Sequence, residues 1–354
     1  MSAPCADVFS SARVDALLAP LKAAPSLLVA VSGGPDSTAL LLMVAEWAGR
    51  RRTTRIAAAT VDHGLRPESA AEAQSVADLC DGLGVPHAIL RWTGAKPSTR
   101  LQERAREARY RLLAEHAWAI GADTIVTAHH ADDQAETVLF RLMRGSGVAG
   151  LRGMETMSRR EGVSIARPLL GVGKSALIAF ARAHGAAFVE DPSNAELRFA
   201  RPRLRALIAG LTGEGLDAKG LARLARRAAE ADEALARMTA EVEARIGAEG
   251  PIDARALFEA PIAIVHRILA RSIAAVGGRD LSRIGLEKIE ALALRLREAT
   301  REGRALKANV GGAVARLTAA GKLEFSPEPA RRNRQSAVGS RQSESGGIGQ
   351  NRSR

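Results

Sequence analysis

Four short apolar runs punctuate the first 210 positions: Leu27–Val31 (LLVAV), Ile56–Val61 (IAAATV), His87–Trp92 (HAILRW) and Thr124–Ala128 (TIVTA). Near-continuous apolar and β-branched runs of this length predict strands buried on both faces. Between them, stretches near 37–48, 68–83 and 101–120 carry apolar residues at helical spacing. Strand, helix, strand at this interval predicts right-handed βαβ units, hence an α/β fold whose parallel sheet is covered by helices on both faces. In such a sheet ligands bind beyond the carboxyl ends of the strands, so residues just after each strand matter most.

The pattern changes near Gly210. The segment GLTGEGLDAKG (210–220) predicts a linker, and 219–246 predicts a long helix rich in Ala, Leu, Arg and Glu. Further helices are expected over 253–275 and 281–299, with short strands over 304–325 around Gly311-Gly312. From Ser326 the chain is Ser, Gly, Arg and Gln with hardly an aliphatic residue, a composition that predicts disorder. Three parts follow: a catalytic α/β domain over 1–210, a smaller mainly helical domain over 211–325, and a basic tail over 326–354. No internal repeat is present.

Composition narrows the class. With 354 residues, 46% hydrophobic and 25% charged, the chain is long enough for two domains and is not disordered overall. Two cysteines, Cys5 and Cys80, exclude a disulfide framework and a four-cysteine zinc site. No run of 18 uncharged apolar residues occurs, and residues 1–20 lack a basic-then-apolar leader, so a cytoplasmic protein without a membrane segment is expected. The formal charge is +12, of which the six arginines and two glutamates after Ser326 supply +4. The remaining +8 suits a polyanionic partner or a solvated surface equally, and 44 arginines against 7 lysines can reflect base composition.

Ser32-Gly33-Gly34-Pro35-Asp36-Ser37 follows the first strand and opens a helix. Two glycines allow a tight turn with amide N–H groups inward, and hydroxyls and the helix N-terminus add donors, which together cradle a phosphate. Asp36 does not favour a bare phosphate; its presence suggests Mg²⁺ between carboxylate and nucleotide. The plain alternative is a tight turn with a helix cap. The hexapeptide resembles the signature of the PP-loop ATP pyrophosphatases, which cleave between the α and β phosphates of ATP. A Walker A loop is rejected, because Pro168 stands where Gly173-Lys174-Ser175 would need its first glycine. Gly145-x-Gly147-x-x-Gly150 follows a helix instead of a strand, which argues against a dinucleotide fingerprint.

Two more clusters end strands. Asp62-His63-Gly64-Leu65-Arg66 lies on the same sheet edge, as ligand contact or helix cap. In His129-His130-Ala131-Asp132-Asp133-Gln134-Ala135-Glu136-Thr137, a helix would put His129, Asp132, Asp133 and Glu136 near one face. Acidic residues suit a helix start, but three carboxylates with a histidine and a glutamine exceed what capping needs. Such carboxylates bind Mg²⁺, hold a cationic substrate or accept a proton from an amine.

Taken with ERAREARY at 103–110, RGSGVAGLRGM at 144–154, RPLL at 167–170 and EDPSN at 190–194, these motifs resemble one tRNA-modifying branch of the PP-loop family. That branch joins free L-lysine to C2 of the wobble cytidine in the CAU-anticodon isoleucine tRNA. The resemblance runs from about 27 to 205 and implies ATP and Mg²⁺ as cofactors. It implies ATP contacts at Ser32, Gly33, Gly34, Pro35, Asp36, Ser37, Asp62, His63 and His129, with Asp36 also on the metal. Asp36, Asp133 and Glu136 are the expected catalytic residues, the last two recognising the lysine ammonium and the target cytosine. Asp132 is a support or ATP contact, and Arg167, Arg201, Arg203 and Arg205 are expected on the adenylate or on tRNA phosphates. Lys174 is equally a phosphate contact or a solvated helix-start lysine; Tyr110 and Trp92 could stack on bases, with core packing favoured for Trp92. A related tRNA thiolase is disfavoured because the chain has no CxxC, and a small-molecule synthetase because it needs no basic C-terminal domain. Oligomeric state is open, a homodimer being one reading.

Overall fold

The computed structural model describes residues 9–65, 67–94, 96–97, 99–189, 200–247, 250–278 and 284–329. Cys5, Arg66, the motif at 190–194 and all but the start of the expected tail lie outside the described residues.

The four expected strands form: β1 (Ser26–Ala30), β2 (Arg55–Asp62), β3 (His87–Arg91) and β4 (Thr124–Val126). Around them run α1 (Ser11–Leu17), α2 (Pro35–Arg51), α3 (Ser69–Gly82), α4 (Leu101–Ala119), α5 (Ala131–Leu142) and the short α6 (Val148–Leu151). A hairpin of β5 (Met157–Arg160) and β6 (Val163–Ala166) completes a six-stranded sheet of order β3-β2-β1-β4-β6-β5. All pairings are parallel except β5 with β6, so an antiparallel strand closes one edge of the expected parallel sheet.

β1 is central, and its side chains divide the core. Leu27 and Val29 join Leu40, Leu41, Val44 and Trp47 of α2 on one face. Leu28 joins Tyr110, Leu113 and Ala117 of α4 and Ile125 of β4 on the other. Alternate residues of a strand point to opposite faces, and each fully buried leucine contributes about 1.5–3 kcal/mol. Helices thus cover both faces, and the segments after β1, β2 and β4 share the carboxyl edge.

Beyond the sheet come α7 (Lys174–Ala183), α8 (Ala200–Leu211) and α9 (Ala218–Ile246). Leu177 and Phe180 of α7 pack into the core around α2. Leu204 of α8 and Leu221 and Ala225 of α9 pack on Ala135, Val138 and Leu139 of α5, which lays α8 against the helix that carries the acidic motif. The chain divides into two compact units between Ala234 and Leu235, within α9, whereas the sequence pattern places the change of character at 210–211.

The second unit has its own core. A four-stranded sheet of order β7-β10-β9-β8, from β7 (Ile252–Asp253), β8 (Leu306–Val310), β9 (Ala313–Leu317) and β10 (Lys322–Pro327), packs with α10 (Ala254–Phe258), α11 (Ile262–Gly277) and α12 (Leu286–Arg301). Two expectations change here. The single helix over 253–275 is broken, because Pro261, lacking an N–H, sits at the N-cap of α11. Strand β10 pairs through Pro327 with Ala313, so regular structure continues past Ser326. Among the described residues no helix is long and apolar enough to cross a membrane.

Candidate active site

The loop after β1 turns through Gly33, whose φ of +81° is left-handed, and Pro35 occupies the first turn of α2. Ser37 is buried and braces the loop: its Oγ accepts from Ser32 N at 3.1 Å and donates to Gly34 O at 3.0 Å. Its hydroxyl is therefore engaged internally, and Ser32 Oγ bonds to it at 3.2 Å, which leaves the first N–H groups of α2 for an anion. Asp36 projects from the first turn with Oδ1 buried and without a hydrogen-bond partner.

After β2, Asp62 Oδ1 accepts from Gly64 N and from Ser69 Oγ, both at 2.8 Å, which ties the strand end to the start of α3. These two bonds hold its carboxyl below the ordinary aspartate value. His63 meets Trp92 edge-to-face at 5.9 Å between centroids, and burial with the nearby Arg109 and Lys96 charges lowers its pKa to about 4. The imidazole is therefore neutral near pH 7, and its Nδ1 is buried without a partner.

After β4 the helix begins at Ala131, so His129 precedes it and does not share its face with Asp132, Asp133 and Glu136 as the spacing predicted. His129 Nδ1 lies 2.9 Å from Thr127 Oγ1, and burial lowers its pKa to about 3 against the opposing pull of Asp133. The residue at the N-cap is His130, which did not stand among the expected site residues. Its Nδ1 lies 3.2 Å from Asp132 N, and Asp133 Oδ2 accepts from His130 N at 3.2 Å, closing a capping box. Its Nε2 lies 3.4 Å from Asp36 Oδ2 and 3.4 Å from Asp133 Oδ2. Burial alone would lower its pKa, but Asp132 and Asp36 raise it to about 9. The ring caps α5 as an acceptor when neutral and bonds carboxylates when protonated; the surrounding acids favour the second state. Histidine is a poor cap by propensity, so only its place between strand end and acidic helix could have marked it.

Asp132 Oδ2 accepts from Lys174 N at 2.9 Å and so caps α7, a supporting role. Asp133 and Glu136 are buried one turn apart on α5. From α8, Arg205 Nε donates to Glu136 Oε1, and Arg201 lies 3.6 Å from Asp133 and 4.0 Å from Glu136. Glu136 Oε2 is buried with no hydrogen-bond partner. Its burial raises the carboxyl pKa, and Arg205 works against that rise. Arg203 is on the same helix and exposed. Arg167 is buried, donating to Glu155 O and Ser158 Oγ, both at 2.9 Å, so it braces the β5 strand.

The glycine-rich 144–154 segment supports α5 from below. Gln134 accepts from Met154 N at 2.7 Å and donates to Met154 O at 3.0 Å, while Arg141 donates to Gly150 O and Gly153 O at 2.8 and 2.9 Å. Tyr110 is buried and cannot stack on a base; Trp92 is half-buried, with Lys96 Nζ 4.1 Å above its ring.

One sheet edge therefore brings together an anion-cradling loop with a carboxylate, and a buried acidic pair with arginines above it. Residues 7–211 match the model of the PP-loop domain family. A tRNA(Ile)-lysidine synthase of Rhodopseudomonas palustris is 47% identical over 347 residues, covering 94% of this chain and 99% of that protein. One of Methylobacterium nodulans is 48% identical, covering 90% and 95%. Among solved structures, the U34-tRNA thiolase NcsA of Methanococcus maripaludis aligns with a TM-score of 0.53 at 16% identity over 61% of this chain and 76% of that one, a likeness of fold alone. Identity of nearly one half across nearly the whole length, over the same motifs that build this edge, places the chain in the tRNA(Ile)-lysidine synthase family of PP-loop proteins.

Proposed function

We propose that the chain ligates free L-lysine to C2 of the wobble cytidine in the CAU-anticodon isoleucine tRNA, with ATP converted to AMP and diphosphate. The observation that carries it is His130, 3.4 Å from both Asp36 and Asp133: it joins the loop that takes ATP to the acid pair that takes the nucleophile. The cytosine C2 oxygen first attacks the ATP α-phosphorus and diphosphate leaves. The ε-amine of lysine then attacks C2 and AMP departs. Adenylation is needed because a carbonyl oxygen is a poor leaving group.

The loop from Ser32 to Ser37, with Gly33, Gly34 and Pro35 shaping it, holds the diphosphate part of ATP; Asp62, His63 and His129 flank it. Asp36 suits Mg²⁺, since Oδ1 is a buried carboxylate oxygen with no partner and Mg²⁺ is commonly held by one or two carboxylates plus phosphates. Bound there, the ion neutralises charge on the leaving diphosphate. Glu136 is the base: lysine's amine is protonated near pH 7, with a free pKa of about 10.4, and a carboxyl raised by burial holds a proton better than an exposed one. Asp133 orients the ammonium. Arg201, Arg203 and Arg205 bind anticodon phosphates, and Arg167 and Asp132 position the walls of the site.

The region from 211 to 325 takes the tRNA body. In the second unit a cleft of about 400 Å³, whose lining includes Arg255, Arg297 and Arg301 with the single carboxylate Glu259, carries the net positive charge that this role needs. A tRNA substrate, free lysine and ATP make the cytoplasm the place of work. The test is incorporation of labelled lysine into the CAU-anticodon isoleucine tRNA with ATP and Mg²⁺. No incorporation, with thiolation or amidation of another substrate instead, would overturn the reading.

A further inference from the structure

α4 carries two arginines for which nothing above provides a role. Arg106 and Arg109 are three residues apart and so share a helix face. α4 enters the sheet from its carboxyl edge, and Arg109 Nη2 lies 3.5 Å from His63 Nε2 just after β2. Arg106 is held by stacking: its guanidinium lies 5.2 Å from the centroid of the buried Tyr110 ring, and Arg160 lies 4.3 Å from the same ring. Among the described residues neither Arg106 nor Arg109 forms an ion pair with a carboxylate, and Arg160 shares the Tyr110 ring with Arg106. Arg109 is exposed and Arg106 half-buried, so both guanidinium groups are open to an anion arriving from solvent.

Cations brought together on one helix face without counter-charges repel one another, and the arrangement is stabilised when an anion binds. We propose that Arg106 and Arg109 form a phosphate site for the tRNA, gripping phosphodiesters of the anticodon loop beside the target cytidine. α4 packs on the face of the sheet opposite α2, the helix opened by the diphosphate loop, and the anion assigned to this face is a phosphate of the other substrate. Two guanidinium forks in a row suit consecutive phosphates better than the single carboxylate of lysine. Stacking of Arg106 on Tyr110 fixes its fork before binding. The inference rests on the lysidine-forming reading and adds the residues that hold the RNA strand.

The experiment uses the full chain, R106Q, R109Q and the double variant, with R104Q as control, since Arg104 is exposed and paired with Glu107 at 3.0 Å. Affinity for the unmodified CAU-anticodon isoleucine tRNA is measured across a salt series, with ATP affinity and the KM for lysine as separate arms. The double variant should bind tRNA at least about ten-fold more weakly, and its log–log salt slope should fall by about 0.7 for each single-strand phosphate that is no longer neutralised. The loss of tRNA affinity should exceed any change in ATP affinity, since Arg109 also touches His63 beside the ATP loop, while lysine KM and R104Q should stay at wild-type values. An unchanged slope, a loss confined to ATP, a loss confined to lysine, or an equal loss in R104Q would each overturn the site. R109Q, altering an exposed head group, carries the test alone if R106Q fails to fold. Lysine incorporation by the wild-type protein is read separately: its absence would overturn lysidine formation, while the salt series still decides the phosphate site.

Discussion

His130 Nε2 lies 3.4 Å from Asp36 Oδ2, so the cap of one helix is tied to the first turn of another across the carboxyl edge of the sheet. In its neutral form the same ring also accepts from Asp132 N through Nδ1, which separates two roles that substitution can pull apart. H130N keeps a good cap but cannot reach Asp36; H130A loses both. We expect H130N to lower kcat for lysidine formation by about 10–100-fold, as loss of a support behind a liganding carboxylate does. Its melting temperature should stay close to wild type, whereas H130A should also lose about 1 kcal/mol of stability. Steady-state kinetics and thermal melts decide it: wild-type kcat in H130N would remove the tie from the reaction.

Arg205 and Glu136 form a pair whose members are unequally exposed, 34% and 2% by side chain. Removing one partner of a buried pair costs about 3–5 kcal/mol, because the remaining charge is stranded. Solvent access to Arg205 reduces this, so R205M should cost about 1–3 kcal/mol in urea unfolding. E136Q should cost less, and R205M/E136Q should recover part of the R205M loss. E136Q should make no lysidine while retaining most tRNA affinity, whereas the double variant should make none and also bind tRNA more weakly, because it loses the Arg205 phosphate contact. Strictly additive stabilities would show that the pair does not couple.

Much of the architecture is legible in the sequence because its signal is local. Runs such as LLVAV and TIVTA mark buried strands wherever they occur, and Ser32–Ser37 sits at a strand-to-helix junction by its own glycines and proline. The β5–β6 hairpin is not legible: MSRR is polar, and its turn needs Glu161 at φ +48° before Gly162 at +76°, a conformation glutamate does not announce. His129 draws attention away from His130 because its spacing to the acids is helical, although the helix starts two residues later. The covering of Asp133 and Glu136 by Arg201 and Arg205 joins residues more than sixty positions apart and depends on Leu204 docking on α5, which no spacing rule contains. Arg167 illustrates the converse, a residue whose motif suggests chemistry and which the fold uses to brace a strand.

Gly153 has φ of +71°, and a Cβ there would stand 2.7 Å from the amide of Gln134. That amide makes both hydrogen bonds to Met154, so the methyl group of G153A would displace the link between α5 and the 144–154 segment. Backbone strain of about 1–2 kcal/mol adds to about 1 kcal/mol for each hydrogen bond weakened. G153A should therefore lose about 2–4 kcal/mol in urea unfolding. Gly145 also has positive φ, +67°, but open space around it, so G145A should lose only the strain. Equal losses in the two variants would mean that packing against Gln134 contributes nothing.

His63 provides a prediction whose sign follows from its surroundings. Burial first, then the Arg109 and Lys96 charges, lower its folded pKa to about 4, while in the unfolded chain it titrates near 6.5. Between these values the unfolded state binds more protons, so stability rises with pH. The stability is complete above pH 6.5 and is lost as pH falls toward 4. H63Q removes this titration, so its stability should fall less steeply than wild type across that window, whatever constant offset comes from removing the ring that packs on Trp92. His129, lowered to about 3, titrates in the same direction and persists in both proteins, so the comparison cancels it. R109Q should raise the folded pKa of His63 and narrow the window from its acid side, because one of the two opposing cations is gone. Urea midpoints measured at half-unit steps from pH 4 to 7.5 read all three curves. Parallel curves for wild type and H63Q would show that the ring titrates as if in water, contrary to its place between Trp92 and Arg109.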